Sequence, residues 1–194
     1  MKRVEINEIL FKKLIDGVKY CVSKDGRILQ YIQIKVKTDT ITAYASDGYR
    51  AGRVEIKNAC PIDEEFTCLI KPFTVKTSKN GINPVVIEQS DKKTFVEVMT
   101  EHGVLRYGFD IPNDNFFDIE KVYATARPHD KELGLHLRYV IDALKALNGI
   151  DYYGGVYRAV FEIKENNKEA FIIRAKNEDI TNEQLILPVR LNTR

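Results

Sequence analysis

One order of elements recurs three times along these 194 residues: a short strand signal, a helical stretch, then three strand signals. A recurring order restricts the fold more tightly than any single motif, since each copy has the same faces to bury. In the first copy Val4 to Ile6 leads into a helix from about Asn7 to Tyr20, with Asn7 as N-cap and Leu10, Leu14, Ile15 and Val18 on one face. Strands follow at about Leu29 to Lys37, Thr40 to Ala45 and Arg53 to Lys57. Ile32, Ile34 and Val36 alternate with Gln33 and Lys35, and Thr38-Asp39 makes a turn. The second copy starts at Thr67 to Ile70 and predicts a short helix near Pro72 to Lys79, Pro72 suiting the first turn although Thr74, Val75 and Thr77 are poor helix formers. Its strands are Val85 to Gln89, Thr94 to Met99 and Val104 to Phe109. The third copy reads as Leu133 to Leu137, a helix from Arg138 to Leu147 striped by Val140, Ile141, Leu144 and Leu147, then strands at Val156 to Lys164, Glu169 to Ala175 and Leu185 to Leu191. The residues of the copies are dissimilar, so the repeat is one of elements and not a solenoid. The fold class is α+β.

Composition narrows the function classes. A chain 44% hydrophobic and 30% charged folds into a globular body. It has no apolar run of the roughly 18 residues a span requires, and Met1 to Asn7 has no signal-peptide core, so a cytoplasmic protein without a membrane partner is expected. Cys21, Cys60 and Cys68 are odd in number and out of metal-ligand spacing, and His102, His129 and His136 form no ligand pair. No metal or cofactor is expected. Neither a phosphate loop nor a nucleophile elbow nor a useful pairing of His with carboxylate is present, so the reading is of a protein that is not an enzyme.

Two short stretches carry the most information. Ala45-Ser46-Asp47-Gly48-Tyr49-Arg50 is a strand running into an Asp-Gly turn, and Leu185-Ile186-Leu187-Pro188-Val189-Arg190-Leu191 is an apolar strand interrupted by proline. Together they resemble the bacterial sliding clamp family, the beta subunit of DNA polymerase III, in which a strand ends in a Thr-Asp-Gly-His-Arg-like turn and the C-terminus reads Met-Pro-Met-Arg-Leu. The resemblance implies a DNA-clamp fold built of strand-helix-three-strand units, about one and a half clamp domains. Residues 1–122, through Phe116-Phe117-Asp118-Ile119-Glu120-Lys121-Val122, resemble a complete middle domain of two units; 123–131 read as a linker; 132–194 resemble half a domain, one unit. Tyr49 stands where the family has histidine, Ala51 where it has leucine and Phe117 where it has proline, and Asn192-Thr193-Arg194 runs past the family's usual end.

The resemblance also implies a pocket for short peptides of polymerases and other DNA-handling proteins. Its wall would be Ser46, Gly48, Tyr49, Arg50 and Ala51, with Phe117, Lys121 and Val122, and with Leu185, Ile186, Leu187, Pro188, Val189 and Arg190. Apolar members would bury a leucine or aromatic side chain, and Arg50, Lys121 and Arg190 would stand at the rim. The predicted helices carry more basic than acidic residues while the whole chain is only +2, the polarity expected where a helical face meets double-stranded DNA non-specifically. Lys12, Lys13, Lys19, Lys71, Lys76, Lys79, Arg138 and Lys145 are the candidates. The loop Asp151-Tyr152-Tyr153-Gly154-Gly155 reads as a connection with partly packed rings. The function implied is a processivity accessory tethering a partner to DNA, or alternatively a clamp-derived adaptor or competitor that binds the peptides without encircling DNA. The lone third unit predicts a homo-oligomer in which two chains pair their third units.

Overall fold

Asn7 starts the first helix, as the sequence predicts. β1 (Lys2–Asn7) ends on it, and its side-chain oxygen accepts from the amides of Ile9 and Leu10, capping α1 (Glu8–Val18). The computed structural model describes residues 2–25, 27–113, 116, 118–125, 135–153, 156–162 and 169–188. α1 buries Phe11, Leu14, Ile15 and Val18 completely, each worth roughly 1.5–3 kcal/mol relative to exposure. β2 (Ile32–Val36), β3 (Thr40–Ser46) and β4 (Arg50–Lys57) follow as an antiparallel meander.

The next strands are β5 (Phe66–Ile70), β6 (Pro84–Gln89), β7 (Lys93–Thr100) and β8 (Gly103–Asp110). Two first strands change places: β1 pairs with β6, while β5 pairs with β2. The exchange interlocks the first two units and yields a four-stranded sheet in the order β1-β6-β7-β8. After α2 (Ile119–Thr125) and α3 (Leu137–Leu147) come two hairpin pieces, β9 (Tyr152–Tyr153) and β10 (Val156–Tyr157), then β11 (Val160–Glu162), β12 (Phe171–Lys176) and β13 (Ile180–Ile186). β13 lies antiparallel on β4, so the first and third units share a seven-stranded sheet, β11-β12-β13-β4-β3-β2-β5.

That sheet is covered on both faces. Val54, Ile56, Ile173 and Ile186 point into the main core with α1 and the first sheet, and α3 packs against α1, β12 and β13. On the opposite face Tyr44, Ala51 and Leu185 form a second cluster with Ile119, Phe116 and Tyr123 of the α2 segment. Six successive residues of β3, Ile41 to Ser46, are buried for this reason.

Several sequence readings need correction. No helix forms between β5 and β6: the segment from Lys71 runs irregularly, Phe73 stacks on Tyr107 at 4.4 Å and on Phe109 at 5.8 Å, and Val75 enters the core. Of the β-branched residues that disfavoured a helix there, Val75 packs inward while Thr74 and Thr77 stay exposed along the irregular path. β13 begins at Ile180, five residues ahead of the predicted Leu185, because its inward positions include Asn182 and Gln184 and the apolar alternation is broken. α2 was not predicted at all. The loop at Asp151 is in part a hairpin, Tyr152–Tyr153 against Val156–Tyr157, with Gly154 and Gly155 outside the described residues. Of the strand expected at Leu133 to Leu137, Leu133 and Gly134 lie outside the described residues, and Leu135 and His136 precede the helix. Most of the expected linker, from 126 onward, is likewise outside them.

Candidate partner-binding and DNA-facing surfaces

The Asp-Gly turn is closed by its own side chains. Gly48 takes φ +87°, which a side chain would disfavour. The Asp47 carboxylate accepts from the amides of Tyr49 and Arg50 at 3.0 and 3.1 Å, and Ser46 Oγ donates to the Arg50 carbonyl and accepts from the Gly48 amide. Leu185 pairs with Ala51 and Ile186 with Arg50, and the Leu187 amide donates to the Tyr49 carbonyl at 3.2 Å. Two stretches about 140 positions apart in sequence (roughly, from Ser46 to Leu187) thus form one wall by backbone pairing.

The members of this wall are not equally accessible. Tyr49 is 64% exposed, Leu187 38% and Val122 37%; Gly48 and Lys121 are exposed and Pro188 is half-buried. Ala51 and Leu185 are buried under α2, and Ile186 points into the main core. Phe117, Val189 and Arg190 lie outside the described residues. Ser46 is buried in the turn.

Arg50 is not a free rim cation. Its Nε donates to Asp47 at 3.0 Å and its Nη1 to Asp142 of α3 at 2.9 Å, and the guanidinium lies 4.6 Å from the centre of the Tyr139 ring. Burial acts to lower the pKa of Arg50, yet the two carboxylates outweigh it and hold it above the ordinary value. Tyr139 in turn stacks against Tyr49 and His136. Sequence reasoning missed Tyr139 and Asp142; their three-residue spacing sets them on one face of α3, but nothing in it shows that the face meets the turn.

α2 is fixed by two tyrosines that sequence reasoning also missed. Tyr123 Oη lies 3.1 Å from both the Ala51 and the Glu183 carbonyls, bridging β4 and β13. Tyr44 Oη donates to Glu120 at 2.7 Å, and Lys35 holds the other carboxylate oxygen at 2.9 Å. Those two partners keep Glu120 below the usual carboxylate range, and burial pushes the Tyr44 phenol up.

On the opposite face, Lys12, Lys13, Lys19 and Lys145 line a cleft between α1 and α3 together with Tyr20 and Thr77. Lys12 and Lys19 both bond Asp16, and these bonds outweigh burial to hold its carboxyl below the ordinary value. Lys145 lies 3.8 Å from Asp142. Arg138, at the other end of α3, is exposed and is not among the residues lining the cleft. Lys71, Lys76 and Lys79 are exposed on the irregular segment, not on a helix, with Lys71 over the Tyr31 ring.

Among the described residues no group of three His, Cys, Asp or Glu is placed to hold a metal ion. Cys21, Cys60 and Cys68 are free thiols, and burial pushes Cys21 and Cys68 up to about 12. No described helix is long and apolar enough to cross a membrane.

No family model matches the chain, and no curated protein matches its sequence. Solved structures do match. The DNA polymerase sliding clamp from Pseudomonas aeruginosa superposes with a TM-score of 0.73 at 12% identity, over 98% of this chain and 67% of that one. The DNA polymerase III beta subunit from Thermotoga maritima gives 0.73 at 11% identity, over 98% and 66%. The Bacillus subtilis sliding clamp gives 0.69 at 18%, over 97% and 64%. The chain spans about two thirds of the length of these clamps, and over that length it has the fold of the DNA polymerase III beta-subunit sliding clamps.

Proposed function

We propose that this chain is a sliding-clamp-like DNA replication accessory protein, which holds a polymerase or another partner near duplex DNA and makes or breaks no bond itself. The supporting observation is the occurrence, at separate places on the clamp fold, of two unlike surfaces. Tyr49, Leu187 and Val122 are exposed apolar groups where the Asp-Gly turn meets the end of β13 and α2. Lys12, Lys13, Lys19 and Lys145 line the cleft on the side of α1 and α3. A protein engaging a short partner peptide at the first surface and phosphates at the second raises the partner's effective concentration on DNA. Assembly from more than one copy belongs to this reading.

The peptide expected carries a glutamine followed by a leucine and an aromatic residue, with micromolar-range affinity. Calorimetric titration is the test. Leu187→Asp should abolish binding by placing a charge where apolar side chains dock. Arg50→Ala acts differently from a rim substitution, since it releases Asp142 and Tyr139 together. An absence of heat with any such peptide, or equal affinity in Leu187→Asp, would remove the pocket from this reading. The adaptor alternative draws on the lost helix between β5 and β6 and on the pairing of Lys12 and Lys19 with Asp16. It requires peptide binding with no association to linear or circular duplex DNA.

A further inference from the structure

β8 is an open sheet edge. Its inner neighbour β7 pairs with it from Lys93 opposite Asp110 to Thr100 opposite Gly103, and the Ile111 amide donates to the Lys92 carbonyl. Backbone groups alternate in direction along a strand, so the amides and carbonyls of Val104, Arg106, Gly108 and Asp110 turn away from β7. Among the described residues no backbone group meets them. Val104 is 56% exposed beside exposed Leu105 and Met99. An unprotected edge of this length is a template for another strand.

We infer that β8 pairs antiparallel with β8 of a second copy, around a two-fold axis at Gly108. Two observations select this occupant. First, the strand is self-complementary in that register. Arg106 faces Asp110 of the second copy, Tyr107 faces its Phe109 and Leu105 its Ile111, each pair occurring twice. Opposite charges and facing aromatic pairs stabilise such ladders, whereas an axis at Arg106 would set two guanidinium groups against each other. Second, the chain already makes this kind of join: β4, the last strand of the first unit, takes β13, the last strand of the third, antiparallel on its outer edge. β8 is the last strand of the second unit and lacks an equivalent. The inference stands on strand geometry alone and does not depend on clamp function. It also differs from the pairing of third units expected from sequence, which uses another part of the chain.

Sedimentation over a wide concentration range tests it, with the unaltered chain expected to pass from monomer to dimer. Asp110 is 83% exposed and, among the described residues, its side chain is paired with Lys93 alone at 3.3 Å, so Asp110→Arg should leave the fold intact, as circular dichroism would verify, and weaken the dimer by about tenfold through two lost pairs. In a Cys60→Ser background, Leu105→Cys with Ile111→Cys should cross-link copies when oxidised glutathione is supplied, since that facing pair is not hydrogen-bonded and its Cα atoms lie about 4.5 Å apart. Leu105→Cys alone should not. Hydrogen exchange on the unaltered chain should show the amides of Arg106, Gly108 and Asp110 slowing as concentration rises. A chain monomeric throughout, a dimer indifferent to Asp110→Arg, or cross-linking by Leu105→Cys alone would each overturn the inference.

Discussion

Gln184 and Asn182 occupy inward positions on β13 where an apolar side chain would be ordinary. Their amides instead serve both helices. Gln184 donates to the Gly17 carbonyl at 2.6 Å and to Asn182 Oδ1 at 2.7 Å, Asn182 donates to the Ala146 carbonyl at 2.9 Å, and the Cys21 thiol donates to Gln184 at 3.3 Å. Gly17 and Ala146 lie in the last turns of α1 and α3, where carbonyls lack helical partners. Gly17 is required by this approach, because a Cβ there would stand 2.4 Å from Val54 and 2.6 Å from Asn182. Gln184→Ala should therefore destabilise the protein by about 1–3 kcal/mol in urea unfolding, the range for buried groups left unpartnered. Glu8 is a second buried polar hub. Its carboxylate accepts from the Ser78 amide at 2.8 Å, from the Ser78 hydroxyl, and from the Asn83 amide at 3.2 Å. Burial raises its pKa, and these bonds outweigh burial and leave it lowered. A carboxyl lowered on folding stabilises the protein above its unfolded value, and that contribution disappears as pH falls through the folded value. Glu8→Gln should flatten the loss of stability expected below about pH 4, measured by thermal melting across acid pH.

α2 and the segment after β5 show how far element-scale reasoning reaches. Helix α1, its cap, the β2–β3 and β6–β7–β8 hairpins and α3 were legible, because cap, periodicity and turn residues agreed with the packing that followed. The segment after Lys71 was misread because Pro72 signals a helix start locally, whereas Phe73, Val75 and Ser78 are held by distant partners. β13 was displaced because its polar inward pair has a purpose visible only once two helices converge on it. Of the candidate wall, the joining of the Asp-Gly turn to the terminal strand was legible through resemblance, and Arg50's partners were not, since Asp142 belongs to an element far along the chain. Tyr123 is the seam's fastener at this scale. Tyr123→Phe keeps the ring and removes the hydroxyl between the Ala51 and Glu183 carbonyls, and about 1 kcal/mol should be lost in urea unfolding.

Across the whole molecule the cations are divided between two surroundings. Lys13 and Lys145 line the α1–α3 cleft, while Lys71 and Lys76 project from the irregular segment. If duplex DNA lies along the cleft, Lys13→Glu with Lys145→Glu should weaken fluorescence-monitored association equally for every sequence and flatten its salt dependence. Lys71→Glu with Lys76→Glu should have the smaller effect. The join between β4 and β13 has a consequence in time as well as in space. Strands at residues 50–57 and 180–186 are neighbours in one ladder, so a chain emerging from the ribosome carries β4 as an open edge until residues 180–186 have been made. Late closure of so long a loop slows folding, and during that interval the half-built sheet is at its most open to the wrong strand.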